Sequence, residues 1–78
     1  MKVIICGAGL VGSNIARHLS LENNDVTIVD QSAELVRRIS DTIDVKGVVG
    51  HASHPDILDL AGATDADMII AVTLYDEG

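Results

Sequence analysis

Three glycines and one acid are the residues of this chain whose types and spacing could do chemistry. Gly7, Gly9 and Gly12 belong to a G-x-G-x-x-G turn, Gly7-Ala8-Gly9-Leu10-Val11-Gly12. A turn of this pattern suits a pyrophosphate. Gly7 permits a tight bend, Gly9 lets a phosphate approach the backbone, and Gly12 lets a helix pack closely on a strand. The helix that follows would offer unpaired N–H groups and the positive end of its dipole to the phosphates. Asp30 lies 23 residues after Gly7, near the spacing of about 20 at which an acid meets an adenosine ribose. A carboxylate there accepts from both ribose hydroxyls and repels a 2′-phosphate, so NAD or NADH is expected in preference to their phosphorylated forms. Gln31 is neutral and no arginine follows Asp30 at once, which agrees. The competing structural reading is that the glycines serve packing alone and Asp30 is a solvated strand end.

The glycine turn has this meaning only between a strand and a helix, and the flanking residues supply both. Val3-Ile4-Ile5-Cys6 reads as a buried strand. Leu10 to Glu22 reads as a helix, with Val11, Ile15 and Leu19 at four-residue spacing and Gly12 and Ala16 beside them. Val26 to Val29 is a β-branched run ending at Asp30, hence a second strand. Ser32 is placed to cap a second helix, whose apolar face is Leu35, Val36, Ile39 and Ile43. Val45 to Val49 predicts a third strand. Ser53-His54-Pro55-Asp56 predicts a short helix start, with Ile57, Leu58, Leu60 and Ala61 buried and Gly62 as its left-handed stop. Met68 to Val72 predicts a fourth strand.

The alternation β-α-β-α-β-α-β implies an α/β fold, a Rossmann-like parallel sheet with helices on both faces. Right-handed crossovers give the strand order 3-2-1-4. An apolar fourth strand at an open edge invites further pairing. Residues 1–78 are therefore expected to be the N-terminal part of a single domain, incomplete at its C-terminal end, or to dimerise over that edge.

The carboxyl ends of the strands form one rim, where ligands of such sheets bind. His51, or the backbone around Ala52, would sit near the adenine edge; an ordinary loop with Ser53 capping a helix is the alternative. Thr73 follows strand four on the same rim and would reach a phosphate or the second ribose, or be a plain loop residue. His51, His54 and Asp56 do not make a convincing metal site, because Pro55 interrupts them and no second ligand cluster exists. No nucleophile–base pair can be assigned, so an enzyme is not expected. The formal net charge of -7 argues against nucleic acid and anionic membrane surfaces as partners. The single cysteine excludes an internal disulfide and points to a reducing, cytoplasmic setting.

Four segments carry a resemblance to a known family. They are Met1 to Gly9, Val26 to Asp30, Gly50-His51-Ala52-Ser53-His54-Pro55, and Ala61 through Thr73. Together they resemble the RCK or KTN domains that regulate potassium channels and transporters, in particular the TrkA-N type of the Trk potassium-uptake systems. The resemblance covers nearly the whole chain, and its third and fourth segments are more specific than the glycine motif. It implies a cytoplasmic regulatory subunit that binds NAD or NADH, and in some members ATP or ADP. It also implies a homo-oligomer beneath a membrane-embedded potassium transporter subunit, gating transport by ligand-dependent rearrangement. By position, Gly7 to Val11 would hold the pyrophosphate, Asp30 the ribose, and Thr73 and Leu74 the second half of the nucleotide. Leu10 departs from the glutamine or arginine common there, which removes a side-chain contact to phosphate. Leu74 and Tyr75 replace small polar residues, leaving that contact to the backbone. The runner-up reading is the cofactor half of an NAD-dependent dehydrogenase, and a dimerising scaffold that binds nothing is a third.

Overall fold

Short aliphatic runs between turn residues produce the strands of a parallel sheet covered by helices; the two central strands are buried on both faces, and the two edge strands are mostly exposed. In a computed structural model, which describes residues 1–51 and 55–72, the elements are β1 (Lys2–Cys6), α1 (Leu10–Leu21), β2 (Asp25–Asp30), α2 (Ala33–Thr42), β3 (Lys46–Val49), α3 (Pro55–Ala61), a 3₁₀ turn (Ala63–Asp65) and β4 (Met68–Ala71). All pairings are parallel, and the order across the sheet is β3-β2-β1-β4, as the alternation predicts. The register sets Cys6 beside Val29 and Ala71, and Asp30 beside Val49, so the carboxyl ends of the strands share one rim.

Successive side chains of a strand point to opposite faces. Val3, Ile5, Val26 and Ile28 therefore pack on one side with Ala16 of α1 and Ile39 of α2. Ile4 and Val29 pack on the other with Ala61 of α3 and the partly buried Ile57. Helices thus cover both faces.

Two side chains expected in the core lie outside it. Val11 is 52% exposed, and the seam of α1 is Gly12 and Ala16, with Ile15 and Leu19 half-buried. The first turn of α1 starts at the rim, and Val11 is rotated about 100° from Gly12, off the sheet. Leu60 is 65% exposed. The seven-residue α3 presents Ile57 and Ala61, four residues apart, to the sheet and turns Leu60 away. Gly62, at φ +87, ends α3 in the left-handed region as expected, and the 3₁₀ turn that follows it has no counterpart in the sequence reading. Strand β3 begins one residue later than predicted. Val45 instead packs on the core from the preceding loop.

Ser32 caps α2: its Oγ accepts the Leu35 N–H at 3.3 Å. Ser32→Ala is expected to cost about 1 kcal/mol. In a domain of this size that lowers the thermal midpoint by about 4–8 °C, which a melting curve followed by circular dichroism would read. The predicted cap at Ser53 lies outside the described residues.

Candidate functional site

The rim at the carboxyl ends of the strands is built around the turn between β1 and α1. Gly7 has φ +124, a region that glycine adopts without penalty. Its N–H donates to the Val29 carbonyl at 2.8 Å, and a β-carbon on it would overlap the Val72 carbonyl oxygen. A β-carbon on Gly12 would overlap the Gly7 carbonyl oxygen. The third glycine of the motif therefore fits against the turn itself, with the strand, through Ile5, one contact further off.

Asp30 ends β2 beside this turn, and its carboxylate bends toward it. Oδ2 accepts the Ala8 N–H at 2.7 Å, and Oδ1 accepts the Ser32 N–H at 2.8 Å. The Asp30 carbonyl accepts the Gly50 N–H at 2.9 Å. One residue thus ties together the glycine turn, the start of α2 and the end of β3. An ionised carboxylate has about four acceptor positions, so two remain for further donors. This double anchoring is what the sequence reading missed. It joins residues 22 apart in the chain, and no local pattern announces it.

Beyond Ala8 the turn opens. Gly9 is the N-cap of α1, with φ -73, and it has no side chain to close the helix start. The first turn of α1 contains no acid. The first bond of the helix is Ser13 N–H to Gly9 O at 2.9 Å. Among the described residues no acceptor meets the N–H groups of Leu10, Val11 and Gly12. Their donors and the helix dipole make a seat for an anion. Leu10 and Val11 project their side chains into solvent, at 78% and 52% exposure. The expected phosphate seat is thereby divided in function. Gly7 and Ala8 shape it, with their N–H groups already engaged, while Gly9 to Gly12 donate theirs to no acceptor among the described residues. His51 lies exposed just past β3 on the same rim. Ala52, Thr73 and Leu74 lie outside the described residues.

Cys6, the last residue of β1, is half-buried, and desolvation pushes its thiol above the ordinary value. It packs with Ile4 and Val29 as a small apolar residue. Among the described residues no three His, Cys, Asp or Glu side chains are grouped to hold a metal ion. Nor is any described helix long and apolar enough to cross a membrane. Two clefts lie away from the glycine turn. One of about 620 Å³ sits at the opposite rim, lined by Lys2, Asn23, Asn24, Asp25 and Lys46 among others. A second, of about 230 Å³, separates α1 from α2. Neither has the convergent backbone donors of the turn, and an anion seat on a helix start needs donors rather than volume.

The TrkA-N domain family matches residues 3–78. The chain belongs to that family. This TrkA-N domain is 60% identical over 77 residues to the Trk system potassium uptake protein TrkA of Azorhizobium caulinodans, and 57% identical to that of Vibrio alginolyticus. Each match covers 99% of this chain and 17% of the relative, so the chain spans about a sixth of the length of those proteins. Among solved structures it resembles the Kef C-terminal domain of Shewanella denitrificans in its AMP-bound form. That likeness has a TM-score of 0.77 and 32% identity, covering 99% of this chain and 46% of the other.

Proposed function

We propose that this TrkA-N domain binds an adenine dinucleotide, NAD or NADH, on the glycine-turn rim, and that occupancy regulates potassium uptake by a membrane-embedded transporter subunit. The observation that carries the reading is the Asp30 carboxylate directed onto the turn beside the uncapped start of α1. The α1 N–H groups would take the pyrophosphate, and the remaining acceptor positions of Asp30 would take the adenosine ribose hydroxyls. A 2′-phosphate would meet the carboxylate and be repelled. The AMP-bound relative supports adenine nucleotides as the ligand class, and the TrkA relatives support potassium uptake as the process. ATP and ADP are the other candidates.

The domain acts here as a sensor rather than an enzyme. A ligand shifts a two-state equilibrium only by binding the two states unequally. Homo-oligomers at the cytoplasmic face, held to the membrane through the transporter, would convert that difference into gating. His51, Ala52, Thr73 and Leu74 complete the proposed contact set on the adenine and distal sides.

Gly9→Asp tests the reading cleanly. The φ of -73 at Gly9 suits any residue, and aspartate is among the best N-caps. Its carboxylate would occupy the donors and repel phosphate. The expected result is an unchanged or higher melting temperature with NADH affinity reduced at least about tenfold, or about 1.4 kcal/mol. Potassium uptake in cells carrying the variant should no longer follow the nucleotide. Undiminished NADH affinity in a folded Gly9→Asp protein would refute the proposal.

A further inference from the structure

We infer that Ser32 is the positioning residue for the ribose contact of Asp30, so that the first turn of α2 aims the acid and responds to its occupancy. The inference rests on the nucleotide reading above and deepens it by naming what holds the acid ready. Three polar groups of Ser32 are engaged. Its N–H donates to Asp30 Oδ1 at 2.8 Å. Its Oγ accepts the Leu35 N–H at 3.3 Å, and its carbonyl accepts the Val36 N–H at 3.1 Å. One of these bonds faces the acid and two face α2. Leu35 and Val36 in turn fix the helix to the sheet. Leu35 packs against the core on the α1 face, and Val36 is buried. A β-carbon on Gly47 of β3 would overlap Val36 Cγ1, so α2 lies close on β3 there.

The physical consequence is preorganisation. A lone carboxylate at a strand end turns among several rotamers. The Ala8 N–H holds one oxygen of Asp30 at 2.7 Å, and a single bond still lets the group swing about it. The Ser32 N–H on the other oxygen removes that freedom. The first anchor belongs to the glycine turn, whereas the second belongs to a helix seated on the core. A ribose then meets an acid already aimed, and the cost of ordering it on binding is avoided. Coupling of this kind runs both ways. Hydroxyls that settle on the carboxylate hold it, and Ser32 with it, in one position, and the first turn of α2 frays less.

The test is equilibrium binding to the protein that carries this chain, with AMP and 2′,3′-dideoxy-AMP as probes, which differ only in the ribose hydroxyls. Wild-type protein is expected to bind AMP at least about tenfold tighter. Ser32→Ala removes the hydroxyl and keeps the amide. Ser32→Pro removes both, at a φ of -84 close to the proline value. Both variants lose the helix cap, so both should melt below wild type. The preference for AMP should survive in Ser32→Ala and fall to about threefold or less in Ser32→Pro, a ratio that loss of stability alone does not move. A second measurement needs only the wild-type protein. At equal fractional occupancy, AMP should slow hydrogen exchange at the Leu35 and Val36 amides more than the dideoxy probe does. An undiminished preference for AMP in Ser32→Pro, or equal slowing by the two probes, would overturn the positioning role and leave the nucleotide reading standing. Equal binding of the two probes to wild type would remove the acid from the ribose contact, and the positioning role with it. Failure of both probes to bind would overturn the nucleotide reading itself.

Discussion

Replacing Gly12 with alanine is expected to cost about 3 kcal/mol or more and to abolish nucleotide binding. The new methyl group would overlap the Gly7 carbonyl oxygen, and the nearest atoms it meets are backbone. Side chains can rotate away from an overlap of this kind, whereas two backbone segments must separate. Overpacking of a well-filled site typically costs about 1–3 kcal/mol, and more where rigid groups collide. Gly12 is buried within the seam that seats α1 on the sheet, so relief requires α1 to lift. Lifting α1 uncovers Ala16 and with it the core of that face. At about 0.05–0.15 kcal/mol per residue, 78 residues correspond to a stability of about 4–12 kcal/mol, so the variant should melt at least about 12 °C lower. Urea unfolding followed by circular dichroism reads the loss. A midpoint within a degree of wild type would show that the turn carries no such constraint.

Asp30→Asn should be the second most damaging change on this rim. The carboxylate accepts two backbone N–H groups, one on each oxygen. An amide keeps one acceptor oxygen and turns an NH₂ toward the other N–H, setting donor against donor. Hydrogen bonds to a charged group contribute about 1.5–3 kcal/mol each. Both sit at a half-buried residue, so the lower end applies. The expected loss is about 2 kcal/mol in stability, or about 8–16 °C in melting temperature. Because Asp30 would also hold the ribose, NADH affinity should fall as well. A double measurement separates the roles: the stability loss appears without ligand, and a further loss appears in the ligand-dependent rise of the melting temperature. A variant with wild-type stability would mean that the two anchoring bonds contribute nothing net.

Much of the fold was legible because the chain agrees with itself at several levels. Val3 to Cys6 and Val26 to Val29 are aliphatic, β-branched and bounded by turn residues, and the registered strands coincide with them. Ser32 and Gly62 mark a helix start and a helix stop through backbone chemistry that acts locally. Local rules fail where orientation depends on neighbours distant in sequence. Val11 continues a four-residue apolar spacing, yet α1 meets the sheet one residue further round, along Gly12 and Ala16. Leu60 falls in an apolar stretch of a helix too short to bury all of it.

The site was legible in part, and for a similar reason. Through their spacing, the glycine turn and the acid at the end of β2 point to the proposed nucleotide seat. The sequence does not reveal that the acid also builds the seat. That role needs the carboxylate of Asp30 to meet Ala8 N–H across two adjacent strand ends, a contact that only the parallel register creates. On the proposed reading, ligand binding and the integrity of the turn would be coupled in this one side chain.

The most direct measurement of the central claim is a titration of the ¹⁵N-labelled protein with NADH, followed by amide chemical shifts. The amides of Gly9, Leu10, Val11 and Gly12 should move together, saturating with the same affinity as those of Asp30 and Ser32. Shifts absent from these residues and confined to the opposite rim, at Asn23 to Thr27 and Lys46, would contradict the account.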